Sequence, residues 1–268
     1  MEQNQPSSWL ARARRGEPLR DPGIIDMHGH LGRYCHAVPD LSPAALVRTM
    51  DRLGVLSVMV SHIQCEAMHA TRGNDELLAA MRAFPERILG YVILFPTSAA
   101  DVRREMERCL AAGFCGLKVE NVNGHSYLNS AYAPAFEIAN ARRLPVLLHT
   151  WGCGGTEGDE VRTLAGRYAD CAFLLAHAGA GGTEQAYIDM ARQFGNVYLD
   201  LALSVGPRGL VRRLVAAVGA DRVVYGSDCY FYSMTQQIGK VLAADLSDAD
   251  KFAILHGNGR RLLERIAK

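Results

Sequence analysis

The run Pro145-Val146-Leu147-Leu148-His149 decides how this chain reads: four apolar residues stand in succession and an imidazole follows at once. A strand with one wet face alternates apolar and polar residues, whereas an unbroken run marks a strand covered on both faces, as in a parallel sheet between helices. Val223-Val224-Tyr225 reads the same way and runs out into Gly226-Ser227-Asp228. Outward from these two, eight short β-rich runs appear, over residues 24–27, 55–63, 88–95, 114–119, 145–149, 172–176, 197–201 and 222–225.

Helical stretches fill the gaps. Ser42-Pro43 supplies an N-cap and a proline at the first helical position, with Gly54 as the stop. Ser98 with Asp101 three residues on resembles a capping box, with Asp standing in for the usual Glu, and Gly113 closes that helix. Asn74, Thr183 and Ser247 are further N-cap candidates. Strands alternating with helices predict βαβ units. Eight of them in 268 residues predict a closed (β/α)8 TIM barrel, a fold that takes ~250 residues. An open doubly wound sheet is the weaker reading, because no GxGxxG follows the first run. Residues 1–22 read as an N-terminal extension, with a helix over 9–13, and 23–268 as a single barrel domain.

Composition closes off other classes. The net charge is +1 and the Lys and Arg residues are scattered, so no basic footprint for nucleic acid exists. No window approaches the ~18 apolar residues of a membrane span. The basic stretch 12–20 lacks the apolar core of a secretory or twin-arginine signal. The seven cysteines are odd in number and make no CxxC, a pattern that suits reduced thiols and predicts a cytoplasmic location. The expected partners are a small-molecule substrate and, beyond that, at most a second copy of the chain as a homodimer.

A barrel of this kind builds its active site at the C-terminal ends of its strands. The first run ends Asp26-Met27-His28-Gly29-His30, and residues two apart on a strand point the same way, so both histidines face the mouth. The fifth ends in His149, the sixth in His177, and the eighth reaches Asp228. In the fourth, Lys118 and Glu120 share one face. Imidazoles with one carboxylate are the donors expected around catalytic zinc or a related divalent ion. Such an ion lowers the pKa of its water toward ~7, which makes hydroxide available at neutral pH. One histidine at a strand end is commonplace; ligand-type residues at four strand ends are not.

The motifs Ile25-Asp26-Met27-His28-Gly29-His30, Gly113-Phe114-Cys115-Gly116-Leu117-Lys118, Leu144 to Thr150, Leu175-Ala176-His177, Tyr225-Gly226-Ser227-Asp228 and His256 to Leu263 stand in this order. With the Phe-Pro-Glu-Arg centre of 74–96, they make the chain similar to the amidohydrolase superfamily. Within it, the sequence resembles the amidohydrolase-related branch of aminocarboxymuconate semialdehyde decarboxylase-like, metal-dependent enzymes. The resemblance spans residues 23–265. It implies His28, His30, His149 and Asp228 as ligands of one divalent metal, zinc first and manganese second. It implies His177 as a catalytic or substrate-polarising base, and Asp228 as acceptor of a proton from the metal's water.

One position departs from the branch. Its fourth strand more usually reads Lys-Leu-His-Pro, and here it reads Lys118-Val119-Glu120-Asn121. A carboxylate among metal ligands needs neutralising. A second metal held by Glu120, a cationic substrate group, or an internal ion pair with Lys118 would each do so. Arg33 and Lys118 are candidate clamps for a substrate carboxylate, and Trp151, in the mouth loop 150–155, is placed to stack on a planar substrate. Cys35, Cys153 and Cys229 lie near strand ends but read as small buried residues, and His36, His62, His69 and His125 as loop residues. His256 reads as structural.

Three functions compete on this reading. The first is hydrolysis of an amide, ester or lactone by metal-activated water. The second is metal-dependent non-oxidative decarboxylation, or hydration, of a small unsaturated or aromatic acid, and the charge of Glu120 argues against an acid. The third is a non-catalytic ligand-binding barrel, against which the intact strand-end residues argue.

Overall fold

All eight runs are strands, parallel and hydrogen-bonded in chain order. They are β1 (Ile24–Leu31), β2 (Val55–His62), β3 (Ile88–Ile93), β4 (Gly116–Val119), β5 (Pro145–Leu148), β6 (Ala172–Leu175), β7 (Val197–Asp200) and β8 (Val223–Val224). The computed structural model describes residues 8–33, 37–63, 70–121, 124–203 and 205–267. Although β8 has two residues, it closes the ring: Met27 N–H donates to Tyr225 O at 2.9 Å, and a parallel bridge joins Gly29 to Cys229. The result is the predicted (β/α)8 barrel. Strands β2, β3, β5, β6, β7 and β8 end earlier than the apolar runs suggested, because the backbone leaves the ladder where the mouth loops begin, and β1 runs on to Leu31.

The helices are α1 (Trp9–Arg14), α2 (Pro43–Leu53), α3 (Ala70–Ala83), α4 (Ala99–Ala111), α5 (Ala133–Ala141), α6 (Gly155–Arg167), α7 (Glu184–Gln193), α8 (Leu210–Val218), α9 (Met234–Leu242), α10 (Asp248–Phe252) and α11 (Asn258–Glu264). Strand alternation sorts the apolar residues into two cores. Met59, Tyr91, Leu147, Leu174 and Val224 fill the barrel interior, while Val58, Val60, Val146, Phe173 and Leu175 pack outward beneath the helices. None of the described helices is long and apolar enough to cross a membrane. The five described cysteines, 109, 115, 153, 171 and 229, are free thiols.

Local signals behaved as their chemistry requires, with two corrections. Ser42 caps α2 by accepting from Ala45 N–H, and Gly54 stops it at φ 83°. Leu19, in the extension, fits against that glycine: a Cβ at Gly54 would come 2.3 Å from Leu19 N. Leu19 is buried and Trp9 meets Phe252 edge-on, so the described part of the extension packs on the barrel. Gly113, at φ 105°, sits one residue past the C-cap of α4, and Gly113 and Phe114 N–H reach back to Leu110 and Cys109 O. Ser247 caps α10. Asn74, however, lies inside α3. Buried there, it bridges Ile93 and Glu105, because a side-chain amide can satisfy the β3 backbone and an acid at once. Thr183 precedes α7 without capping it, since its hydroxyl donates to Ala180 O instead.

The Ser98 box is reciprocal: Oγ accepts from Asp101 N–H at 3.1 Å and donates to Asp101 Oδ2 at 2.7 Å. Ser98→Ala leaves that N–H unpaired and is expected to cost about 1 kcal/mol in urea unfolding. A loss under 0.3 kcal/mol would show water replacing the cap fully.

Candidate active site

His28 and His30 reach the mouth together by a route that simple alternation does not give. Between Asp26 and Gly29 the register of β1 against β2 shifts, with three steps on β1 facing the two from Val58 to Val60. Met27 packs in the barrel core, as Ile25 does, and His28 follows it within the bulge. The two rings lie 5.3 Å apart. Asp228 follows β8 in the left-handed region, at φ 56°, and His177 follows β6 at φ 57°. Asp tolerates that conformation; for His it is a strained placement of the kind found at active sites. Just past β6, Ala176 faces the interior, so alternation alone would point His177 outward, and the left-handed backbone at 177 brings it back.

His28, His30 and Asp228 form one cluster, with ligand atoms all within 4.8 Å of one another. Asp228 Oδ1 lies 3.1 Å from His30 Nε2 and 3.6 Å from His28 Nε2, and it is buried with no hydrogen-bond partner. His28 Nδ1 is taken by Asp200 Oδ2 at 2.6 Å, and His30 Nδ1 by Ser61 Oγ at 2.9 Å. With protons on Nδ1, both Nε2 lone pairs converge on an orphaned carboxylate oxygen, an arrangement that repels itself unless a cation lies between. The donor set therefore fits a divalent metal.

His149 stands beside this cluster and outside it. Its Nδ1 is 3.4 Å from His177 Nε2 and 3.5 Å from Glu120 Oε2, and Tyr127 OH donates to its carbonyl. His177 Nδ1 donates to Ala202 O, leaving Nε2 toward the site. Lys118 and Glu120 do share a face, and they pair: Lys118 Nζ lies 3.0 Å from Glu120 Oε1 and 3.4 Å from His28 Nε2, with Lys118 and His28 buried and Glu120 mostly so. Trp151, 55 % exposed, stacks over the His149 ring at 11° and meets His177 edge-on. Glu157 fixes that loop by accepting from Trp151 N–H, Cys153 N–H and Asn121 Nδ2. An apolar pocket of Val38, Leu41, Ile63, Tyr230 and Phe231 opens beside His30, whose ring Phe231 touches edge-on at 5.2 Å.

Burial lowers the pKa of His28, His149 and His177, which keeps these imidazoles neutral as ligands or bases must be. Burial would raise Asp228, but the adjacent His28 and His30 outweigh it and hold the carboxyl well below its usual range. Burial would likewise raise Glu120, and Lys118 above all, then His149, brings it below its ordinary value.

Other candidates fall elsewhere. His62 points outward, to Glu76 Oε2 of α3 at 3.0 Å, because it has the opposite parity to Ser61. His125 packs on Phe95, and His256 bonds Gly23 O as a structural residue. Cys153 and Cys229 are buried and Arg33 is exposed. Cys35, His36 and His69 lie outside the described residues. Two functional neighbours were missed, Asp200 and Ser61. Both lie inside apolar runs, and Asp200 is the strand-end residue of β7 although the apolar run continues to Leu201.

Imidazoles and a carboxylate gathered at the C-terminal mouth of a (β/α)8 barrel define an enzyme of the metal-dependent barrel class. The chain belongs to the amidohydrolase family, whose model matches residues 25–265. It is 23% identical to a gamma-resorcylate decarboxylase of Polaromonas sp., over 81% of this chain and 86% of that one. A dihydroxybenzoic acid decarboxylase structure from Polaromonas sp., with bound manganese and 2-nitroresorcinol, superposes with TM-score 0.73 at 20% identity, covering 90% of this chain and 97% of that one. A 4-oxalomesaconate hydratase from Rhodopseudomonas palustris gives TM-score 0.68 at 16% identity, covering 90% and 96%.

Proposed function

We propose that this protein is a metal-dependent, non-oxidative decarboxylase of a small aromatic or unsaturated acid. The observation that carries this reading is the Lys118–Glu120 pair at 3.0 Å. The charge of Glu120 was the sequence's argument against an acid substrate, and Lys118 stands beside it to cancel it. The relatives point the same way, since two of them act on hydroxylated benzoic acids by name. Trp151, stacked over His149 at the mouth, offers a face for a planar carbon skeleton.

A divalent ion, manganese or zinc, on His28, His30 and Asp228, with His149 alongside, would supply the positive charge that holds the substrate's oxygens. His177 Nε2 is the group placed to hold and deliver a proton, because Nδ1 is committed to Ala202 O. Burial makes a proton on that ring easy to give up, and Asp228 Oδ2, 3.8 Å from Nδ1, steadies it meanwhile. The carboxylate carbon leaves as carbon dioxide, its bonding pair stays on the substrate carbon, and that carbon ends bearing the proton. Arg33, exposed just past β1, would meet the acid on entry.

Hydrolysis of an ester, lactone or amide is the second reading. It is favoured by Asp228, a carboxylate that stands ionised beside the metal donors, where a water held by the metal would meet it. Full-length enzyme loaded with manganese or zinc is expected to release carbon dioxide from a panel of hydroxybenzoic and unsaturated acids. A kcat/KM for any ester, lactone or amide above that for every acid overturns the decarboxylase assignment.

A further inference from the structure

Asp200, the last residue of β7, is fully buried and touches no surface of the mouth. Its two oxygens have different duties. Oδ2 lies 2.6 Å from His28 Nδ1, and Oδ1 accepts Ala202 N–H at 3.2 Å. The space for this carboxylate is made by Gly226: a Cβ there would lie 2.1 Å from Asp200 Oδ1 and 2.7 Å from His28 Cβ. His28 backbone is fixed as well, since Asp26 Oδ1 accepts its N–H at 3.1 Å and Ser227 N–H at 2.9 Å. The ring is therefore held at one nitrogen by a carboxylate while the other faces Asp228 and His30.

We propose that Asp200 is the positioning residue of the metal centre: as a pure acceptor it keeps the His28 proton on Nδ1, so that Nε2 presents its lone pair to the cation, and Gly226 gives it the room to do so. A neutral imidazole has one N–H, and whichever nitrogen carries it cannot be a ligand. A carboxylate behind the ring also makes Nε2 more basic. The proposal rests on the cation reading of His28, His30 and Asp228, and is indifferent to which reaction the enzyme performs.

The chemistry predicts an unusual order of variants. In Asp200→Asn the amide keeps the shape. Its oxygen stays with Ala202 N–H, so its NH2 faces His28 Nδ1 and offers a donor where an acceptor is needed. The imidazole proton then moves to Nε2 and the ligand lone pair is lost. Asp200→Ala frees the ring to take either tautomer. Stripped full-length protein, titrated with Zn2+ and Mn2+ against a chromophoric chelator, is expected to bind about 10- to 100-fold more weakly as Asp200→Asn, and less severely weakened as Asp200→Ala. The melting temperatures of the metal-free variants should rank in the opposite order, the isostere above the truncation. A role in packing alone predicts that the isostere is milder in both measurements. Gly226→Ala, whose Cβ would crowd both the carboxylate and the His28 side chain, is expected to weaken binding as well. Affinity of Asp200→Asn within threefold of the parent, or stronger than that of Asp200→Ala, overturns the proposal, as does parental affinity in a folded Gly226→Ala. A parent that binds neither ion overturns the cation reading and this proposal with it.

Discussion

Asp228→Asn is expected to lower kcat by about 10²- to 10⁴-fold, the range for loss of a positioned proton-transfer group, while losing less metal than His28→Ala does. The substitution isolates charge from shape. Residue 228 takes φ 56°, a conformation Asn adopts nearly as readily as Asp, so the backbone after β8 is kept. An amide oxygen can still face the two imidazoles, but it has no charge. In decarboxylation that charge steadies the proton on His177, 3.8 Å away; in hydrolysis it takes the proton of water. Either step suffers. His28→Ala acts differently, because it deletes a nitrogen of the proposed ligand set and is expected to empty the site. Steady-state kinetics with elemental analysis separates the two effects. An Asp228→Asn enzyme that keeps most of its turnover would remove Asp228 from proton transfer.

Glu120→Gln is expected to destabilise the fold by about 3–5 kcal/mol, since breaking a buried ion pair from one side leaves its cost uncompensated. Lys118 is buried and its ammonium lies 3.0 Å from the carboxylate that the variant removes. For a chain of this size the loss corresponds to a fall in melting temperature on the order of 10 °C. Replacing both residues by apolar ones, Lys118→Met with Glu120→Leu, should recover much of it. The measurement also settles the rival role of Glu120 as ligand of a second metal. On the ion-pair reading metal stoichiometry is the same in parent and Glu120→Gln. A variant that melts like the parent but holds one metal equivalent fewer would make Glu120 a ligand.

The sequence alone determined the architecture. Unbroken apolar runs separated by capped helices leave no arrangement other than a parallel sheet covered on both faces, and the physics is local: Ser42, Gly54, Ser98 and Gly113 act on their own backbone neighbours. The strand-end rule also located His28, His30, His149, His177 and Asp228, because a barrel delivers every strand end to one mouth.

Tertiary structure decided how those residues divide. The β1 bulge, and not alternation alone, sets His28 and His30 together, and left-handed backbone at 177 and 228 turns those side chains inward. A spacing rule assumes regular strands, and the site is built where strands stop being regular. The fate of Glu120 was equally invisible, since a carboxylate two residues from a lysine can pair with it, with a metal or with a substrate. Distances across a closed barrel bring the Lys118 ammonium within 3.0 Å of the Glu120 carboxylate. Asp200 shows the same limit most plainly. It reaches His28 across 172 positions of chain, through space that exists only because Gly226, just past β8, has no side chain.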